Sequence, residues 1–216
     1  MYISFLFMPL VYQQNINETA KIGVWQIKEN EQFFLEQVSA QKEITHPHKR
    51  LQHLAGRYLL KQLDSDFPLA LIKINSSGKP FIENDDFHFS ISHCGDYAAA
   101  IISKSEHVGI DIEIPDQRIE KIKNKFTSEK ELELFLSIDY SAAEKLTIIW
   151  SIKEAMFKWD GKGLIDFKKH LCIESVQINN GTVISNCFFR KNNEVQIIAK
   201  SVMIEDNILS YVIKTS

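Results

Sequence analysis

Val108-Gly109-Ile110-Asp111-Ile112-Glu113 and Trp150-Ser151-Ile152-Lys153-Glu154-Ala155-Met156-Phe157-Lys158 decide how this chain is read. The first stretch has the two-residue alternation of a strand. Ile110, Ile112 and the following Ile114 face one way, Asp111 and Glu113 the other. The second repeats Trp150, Glu154 and Lys158 every four residues, which sets them along one face of a helix. If that helix lies beside that strand, three carboxylates and a lysine meet at one spot. Three hard oxygen ligands with a neighbouring cation suit a magnesium ion carrying a pyrophosphate. The pairing makes the chain an enzyme candidate.

Each motif has an ordinary reading when taken alone. Alternating Asp and Glu are common on the wet face of an antiparallel strand. Glu154 and Lys158 form a favourable i,i+4 pair, with Trp150, Ala155 and Phe157 as core. The specificity lies in the combination, and in Gly109 just ahead of the acids.

Working outward, the second half opens with the Asp111 strand and continues through helices at about 117–125, 128–137 and 141–160. It closes with strands near 171–178, 182–190, 195–203 and 208–214, with Asn179-Asn180-Gly181 as a hairpin turn. Ahead of it, Lys21–Ile27 reads as a strand and Glu29–Val38 as a short helix. Thr45 begins a longer helix with Pro47 and His48 in its first turn, running through Leu51, Leu54, Tyr58, Leu59 and Leu63. Strands follow at Ala70–Asn75, Lys79–Glu83, Phe87–Ser92 and Tyr97–Ser103. Helices grouped before antiparallel strands, twice over, read as α+β with two similar halves, residues 1–105 and 106–216. The second half carries the acidic motifs.

At 216 residues the chain can bury a substantial core. A net charge of -3 and a pI near 6.2 argue against a dedicated nucleic-acid binder, though not against a local basic patch. The apolar stretch Met1–Val11 has no basic leader, falls short of the about 20 residues a membrane span needs, and reads as an opening strand. No later segment is long enough to span. Cys94, Cys172 and Cys187 are odd in number and lack zinc-type spacing, so a reduced, intracellular setting is expected.

Three further segments carry candidate chemistry. Ser90-Ile91-Ser92-His93-Cys94-Gly95 ends an alternating strand with polar groups. A histidine there is ordinary in a loop, but next to a phosphate the hydroxyl and imidazole are good partners. No acid orients Cys94 and His93 in sequence, which leaves a Cys-His hydrolase weakly supported. Gly78-Lys79-Pro80-Phe81 is a turn and a strand start; no P-loop occurs in the chain. The helix with His46, His48, Lys49, Arg50, His53 and Arg57 has a solvated face as its plain reading, yet Arg50 and Arg57, two turns apart, can reach one phosphate-bearing ligand.

Taken in order, Gly78-Lys79-Pro80-Phe81, Phe89-Ser90-Ile91-Ser92-His93, Gly109-Ile110-Asp111-Ile112-Glu113, Trp150-Ser151-Ile152-Lys153-Glu154-Ala155 with Lys158, and Gly161-Lys162-Gly163-Leu164, the chain resembles the 4'-phosphopantetheinyl transferases of the Sfp type. The resemblance covers roughly residues 20–175. It implies a single chain of two similar α+β halves, a pseudo-dimer with coenzyme A in the cleft between them. It implies transfer of 4'-phosphopantetheine from coenzyme A to a serine of an apo acyl or peptidyl carrier protein, with release of 3',5'-ADP, as in a holo-[acyl-carrier-protein] synthase. Asp111, Glu113 and Glu154 would hold Mg2+ on the pyrophosphate, and Lys158 would touch the phosphates. Lys79, Ser92 and His93 would contact the nucleotide end, Arg50 and Arg57 the 3'-phosphate or adenine side, and Trp150 would support the helix. The base would be Glu154 or a water held by Glu113. Cys94 stands where many relatives have Ser, and Lys130 where an acid is common.

The expectations that follow are a cytoplasmic monomer that binds coenzyme A and a carrier protein, with no nucleic-acid or membrane partner. Two other classes use the same residues. One is a magnesium-dependent phosphohydrolase that activates water in place of serine; the other is a catalytically silent module that binds coenzyme A or a carrier. The intact set Asp111, Glu113, Glu154 and Lys158 speaks against the silent module.

Overall fold

The computed structural model describes residues 9–38, 44–83 and 86–213. Most of the expected opening strand at Met1–Val11 lies outside them. The first described strand is β1, Leu10–Asn15, followed by β2, Ala20–Gln26. Asn30 caps the short helix α1, Glu31–Leu35, and His46 caps α2, Pro47–Leu63, through its imidazole. Pro47 stands at the start of α2, where its missing N–H costs nothing.

The expected strands at Ala70–Asn75 and Lys79–Glu83 shrink to the two-residue β3, Lys73–Ile74, and β4, Pro80–Phe81. Between them Asn75 closes the turn: its Oδ1 accepts from the backbone N–H groups of Ser77 (3.0 Å) and Lys79 (2.8 Å). Then come β5, His88–Cys94, and β6, Tyr97–Ser103.

The second run starts with β7, Val108–Glu113. The helix expected over 117–125 is a 3₁₀ stretch, Gln117–Ile122, leading into α3, Lys123–Phe126. A reciprocal Ser128–Glu131 capping box starts α4, Glu129–Leu134, and Ser141–Glu144 starts α5, Ala142–Asp160. Strands β8 (Leu171–Asn179), β9 (Thr182–Arg190), β10 (Glu194–Ile204) and β11 (Asn207–Ile213) form a meander.

The strands build a four-stranded sheet, β1-β2-β6-β5, and a five-stranded sheet, β7-β11-β10-β9-β8, besides the small β3-β4 pair. Every pairing is antiparallel, and the class is α+β. In both large sheets the strand ahead of the long helix pairs with the last strand: β2 with β6, β7 with β11. Leu54, Leu59, Leu60 and Leu63 of α2 bury against the first sheet. Ile148, Ile149, Ile152 and Met156 of α5 bury against the second. A third apolar cluster lies between the sheets, with Ile22 and Val24 of β2 and Ile101 of β6 meeting Ile110 and Ile112 of β7.

That third cluster makes β7 the pivot. Its isoleucines face the first sheet while its acids face α5. Ile114 departs from the expected alternation: β7 ends at Glu113, and Ile114 is 44% exposed.

Candidate active site

Gly109 fixes how close α5 comes to β7. A Cβ built there would lie 2.7 Å from the backbone N of Trp159 and overlap the carbonyl oxygen of Ala155. Without a side chain in the way, the α5 backbone rests directly on the strand. Glu154 and Lys158 flank that contact along the helix, and Asp111 follows it along the strand.

Lys158 Nζ donates to Asp111 Oδ1 at 2.6 Å and to Ser92 Oγ at 2.8 Å. Ser92 Oγ in turn donates to Asp111 Oδ1 at 2.9 Å. Asp111 is only 2% exposed, and its second oxygen, Oδ2, has no hydrogen-bond partner among the described residues. Glu113 accepts from the Trp150 indole N–H at 3.2 Å.

Negative charge is crowded here. Loss of hydration, then the Asp111 carboxylate, pushes Glu154 up to about 7. The same two causes, in the same order, raise Glu113. Among the described residues no three acid, histidine or cysteine side chains form a preassembled metal cage, and Lys158 occupies one side of Asp111. The donor chemistry nevertheless fits a hard divalent cation: three carboxylates whose ionised forms oppose one another, and a buried oxygen with no donor.

Ser92 is buried, while His93, at the end of β5, keeps part of its surface in solvent. Dehydration, and then the positive charges of Lys158 and Lys49, hold the His93 imidazole below its ordinary value. Lys79 packs its stem against Gly161, the left-handed cap of α5 (φ +65°), and donates to Trp159 O at 3.2 Å. Burial lowers its ammonium to about 8. Asn75 and Ser77 reach the Gly161 carbonyl at 2.9 and 2.6 Å, so the β3-β4 hairpin is clamped to the end of α5. Between them lies a cavity of about 250 Å³, lined by Lys79, Pro80, Phe89, Ile91, Phe157 and Lys158.

The structure therefore brings together Asp111, Glu113, Glu154, Lys158, Ser92 and His93, with Lys79 across the cavity. Two expected residues are engaged elsewhere. Arg50 spans both oxygens of Glu31 (2.7 and 2.8 Å) and donates to Ile44 O at 2.8 Å, which ties α2 to α1. Arg57 is buried, its guanidinium 3.0 Å from His53 Nδ1, and dehydration lowers it to about 10. Lys49, in sequence only one member of a solvated basic face, is a further cation whose charge acts on His93. Its signal was there: Lys49, His53 and Arg57 recur every four residues along one side of α2, beside Gly56, which packs on Ile91 of β5.

Residues 107–212 match the 4'-phosphopantetheinyl transferase superfamily. Among curated proteins the chain is 35% identical over 112 residues to the 4'-phosphopantetheinyl transferase gsp of Aneurinibacillus migulanus, covering 51% of this chain and 46% of that one. It is 36% identical over 89 residues to the 4'-phosphopantetheinyl transferase Sfp of Bacillus subtilis, covering 40% and 39%. With the putative 4'-phosphopantetheinyl transferase of Haemophilus influenzae it shares 31% over 130 residues, covering 56% and 53%. The chain spans about half the length of the curated relatives it matches. The half that carries Asp111, Glu113, Glu154 and Lys158 thus places the chain in the 4'-phosphopantetheinyl transferase superfamily.

Proposed function

We propose that this protein transfers 4'-phosphopantetheine from coenzyme A to a serine hydroxyl of an apo carrier protein. The observation that carries the reading is the convergence of Glu154 and Lys158 of α5 on Asp111 and Glu113 of β7. Asp111, Glu113 and Glu154 are the residues to hold Mg2+, which when bound neutralises pyrophosphate charge and polarises the attacked phosphorus. The seryl oxygen forms a bond to the β-phosphorus, the bridging P–O bond breaks, and 3',5'-ADP leaves. The seryl proton passes to Glu154 or to a water held by Glu113. Lys158 offsets charge on the phosphoryl oxygens, anchored meanwhile by Ser92. His93, Lys49 and Lys79 supply positive or hydrogen-bonding groups for the nucleotide phosphates, with Arg57 behind them.

The same reading divides the chain into halves at residues 1–105 and 106–216, duplicated in architecture. The matching pairings of β2 with β6 and β7 with β11 support it. It also implies a cytoplasmic monomer; among the described residues no helix is long and apolar enough to cross a membrane. Incubation of apo carrier proteins with the protein, coenzyme A and Mg2+, followed by mass spectrometry, tests the proposal. A gain of one phosphopantetheine supports it. Release of 3',5'-ADP without any carrier would favour hydrolysis instead.

A further inference from the structure

Lys153, next to Glu154 in the chain, is fully buried. Its ammonium donates to Phe126 O at 2.6 Å and Phe167 O at 3.1 Å, and pairs with Glu131 Oε1 at 2.7 Å. Glu131 is itself 4% exposed and saturated with donors. Its Oε1 accepts from Ile173 N at 3.0 Å, its Oε2 from Ser128 N at 2.9 Å and Ser128 Oγ at 3.0 Å. One ion pair thus joins α5, the α3–α4 turn, the segment after α5, and β8.

A buried ion pair is weak evidence for stability, since dehydrating two charges costs about what their attraction returns. Its value must be sought in what it positions. The two carbonyls it holds belong to Phe126 and Phe167, and those rings enclose Trp150. Phe126 meets the indole edge-on (5.2 Å between centroids, 70° between planes), and Phe167 stacks on it (5.3 Å, 23°). Trp150 then donates its indole N–H to Glu113 Oε1 at 3.2 Å.

We infer that Lys153, Glu131 and Trp150 are positioning residues: the buried pair sets the Phe126–Trp150–Phe167 clamp, and the clamp aims the indole N–H so that Glu113 points into the site. The link to metal and coenzyme A rests on the transferase reading; the link from Lys153 to Glu113 does not. Partners that orient a metal-binding carboxylate typically change metal affinity about 10- to 100-fold when lost.

Two measurements test this. The first needs no ligand. In 15N-labelled protein the Trp150 indole N–H resonance, assigned by its loss in Trp150→Phe, is expected to shift in Glu113→Gln and again in Lys153→Met/Glu131→Gln. The double substitution removes both buried charges together, which guards against unfolding by an orphaned ion. If the folded double variant leaves the indole resonance in place, Lys153 does not position Trp150 and the inference is overturned. The second is calorimetry of coenzyme A binding with Mg2+. Trp150→Phe keeps a ring in the clamp and loses only the donor. It is expected to weaken Mg2+-dependent binding about 10- to 100-fold while its Tm stays near wild type. Equal affinity in Trp150→Phe and wild type overturns the inference. A wild-type protein that binds no coenzyme A with Mg2+ counts against the transferase reading, and the resonance measurement still decides the positioning.

Discussion

Gly109 of β7 and Ala155 of α5 meet backbone to backbone, with no room for even a methyl group between them. The contact sets the depth of the whole site, because Asp111 lies two residues beyond the glycine and Glu154 one residue before the alanine. Gly109→Ala must push α5 outward. Overpacking of this kind costs about 1–3 kcal/mol, and the displacement also separates Lys158 from Asp111. The expected outcome is a folded but less stable protein with little transferase activity. Denaturant midpoints and carrier mass gain measure the two effects; full activity would show that the close approach is dispensable.

Much of this was readable from the sequence, for a physical reason. The alternation in Val108–Glu113 and the four-residue repeat of Trp150, Glu154 and Lys158 are local signals, and each survives into β7 and α5. What the sequence does not carry is which cation meets which anion across the fold. Arg50 looked available for a phosphate, yet Glu31, nineteen positions earlier, takes its fork in a bidentate pair. Lys153, the residue before Glu154, is wholly buried, because Glu131 and two carbonyls from distant segments satisfy it. The strand expected over Ala70–Asn75 is short because a 3₁₀ turn, Leu69–Leu71, stands ahead of it and Asn75 turns the chain directly after Ile74.

The nucleotide end separates these arginines. Arg50→Ala should cause a small loss of thermal stability, from the loosened α1–α2 contact, and leave the Michaelis constant for coenzyme A nearly unchanged. Lys49→Ala removes a charge that acts on His93, and Lys79→Ala removes one from the cavity wall. Both should raise that constant about tenfold or more, the usual value of a charge-assisted hydrogen bond, with less effect on turnover. Steady-state kinetics with coenzyme A varied at saturating carrier reads the difference. A large effect of Arg50→Ala alone would reverse the assignment.

Glu154 predicts a pH effect in metal-free protein. Its folded value, about 7, lies above the 4.5 of an ordinary glutamate. Between those values the folded state binds more protons than the unfolded state, so stability falls as pH rises from about 4.5 towards 7. Glu154→Gln abolishes this contribution, and its denaturant midpoint should depend less on pH over that window in the presence of a chelator. If wild type and variant keep parallel slopes, burial and the neighbouring acids do not raise Glu154.

Lys158 offers the sharpest separation of metal from scaffold. Among the described residues its ammonium is the only ion-pair partner of the buried Asp111, whose other oxygen has no hydrogen-bond partner. Lys158→Met keeps the length of the side chain and removes the charge, leaving a buried carboxylate supported by Ser92 alone. Breaking a buried pair from one side is typically costly, about 3–5 kcal/mol, and partial exposure of Lys158 reduces that here. The variant should therefore melt well below wild type in chelator. If Asp111 is a metal ligand, Mg2+ or Mn2+ with coenzyme A replaces the missing charge and raises the Tm of Lys158→Met more than that of wild type, while turnover stays low because phosphoryl charge is still poorly offset. Asp111→Asn should behave in the opposite sense. It keeps near-normal stability without metal, gains nothing from the divalent ion, and loses transfer almost completely. Differential scanning fluorimetry of the two variants, with and without metal and coenzyme A, distinguishes these patterns. Equal metal responses in both would mean that Asp111 serves Lys158 as an ion-pair partner only.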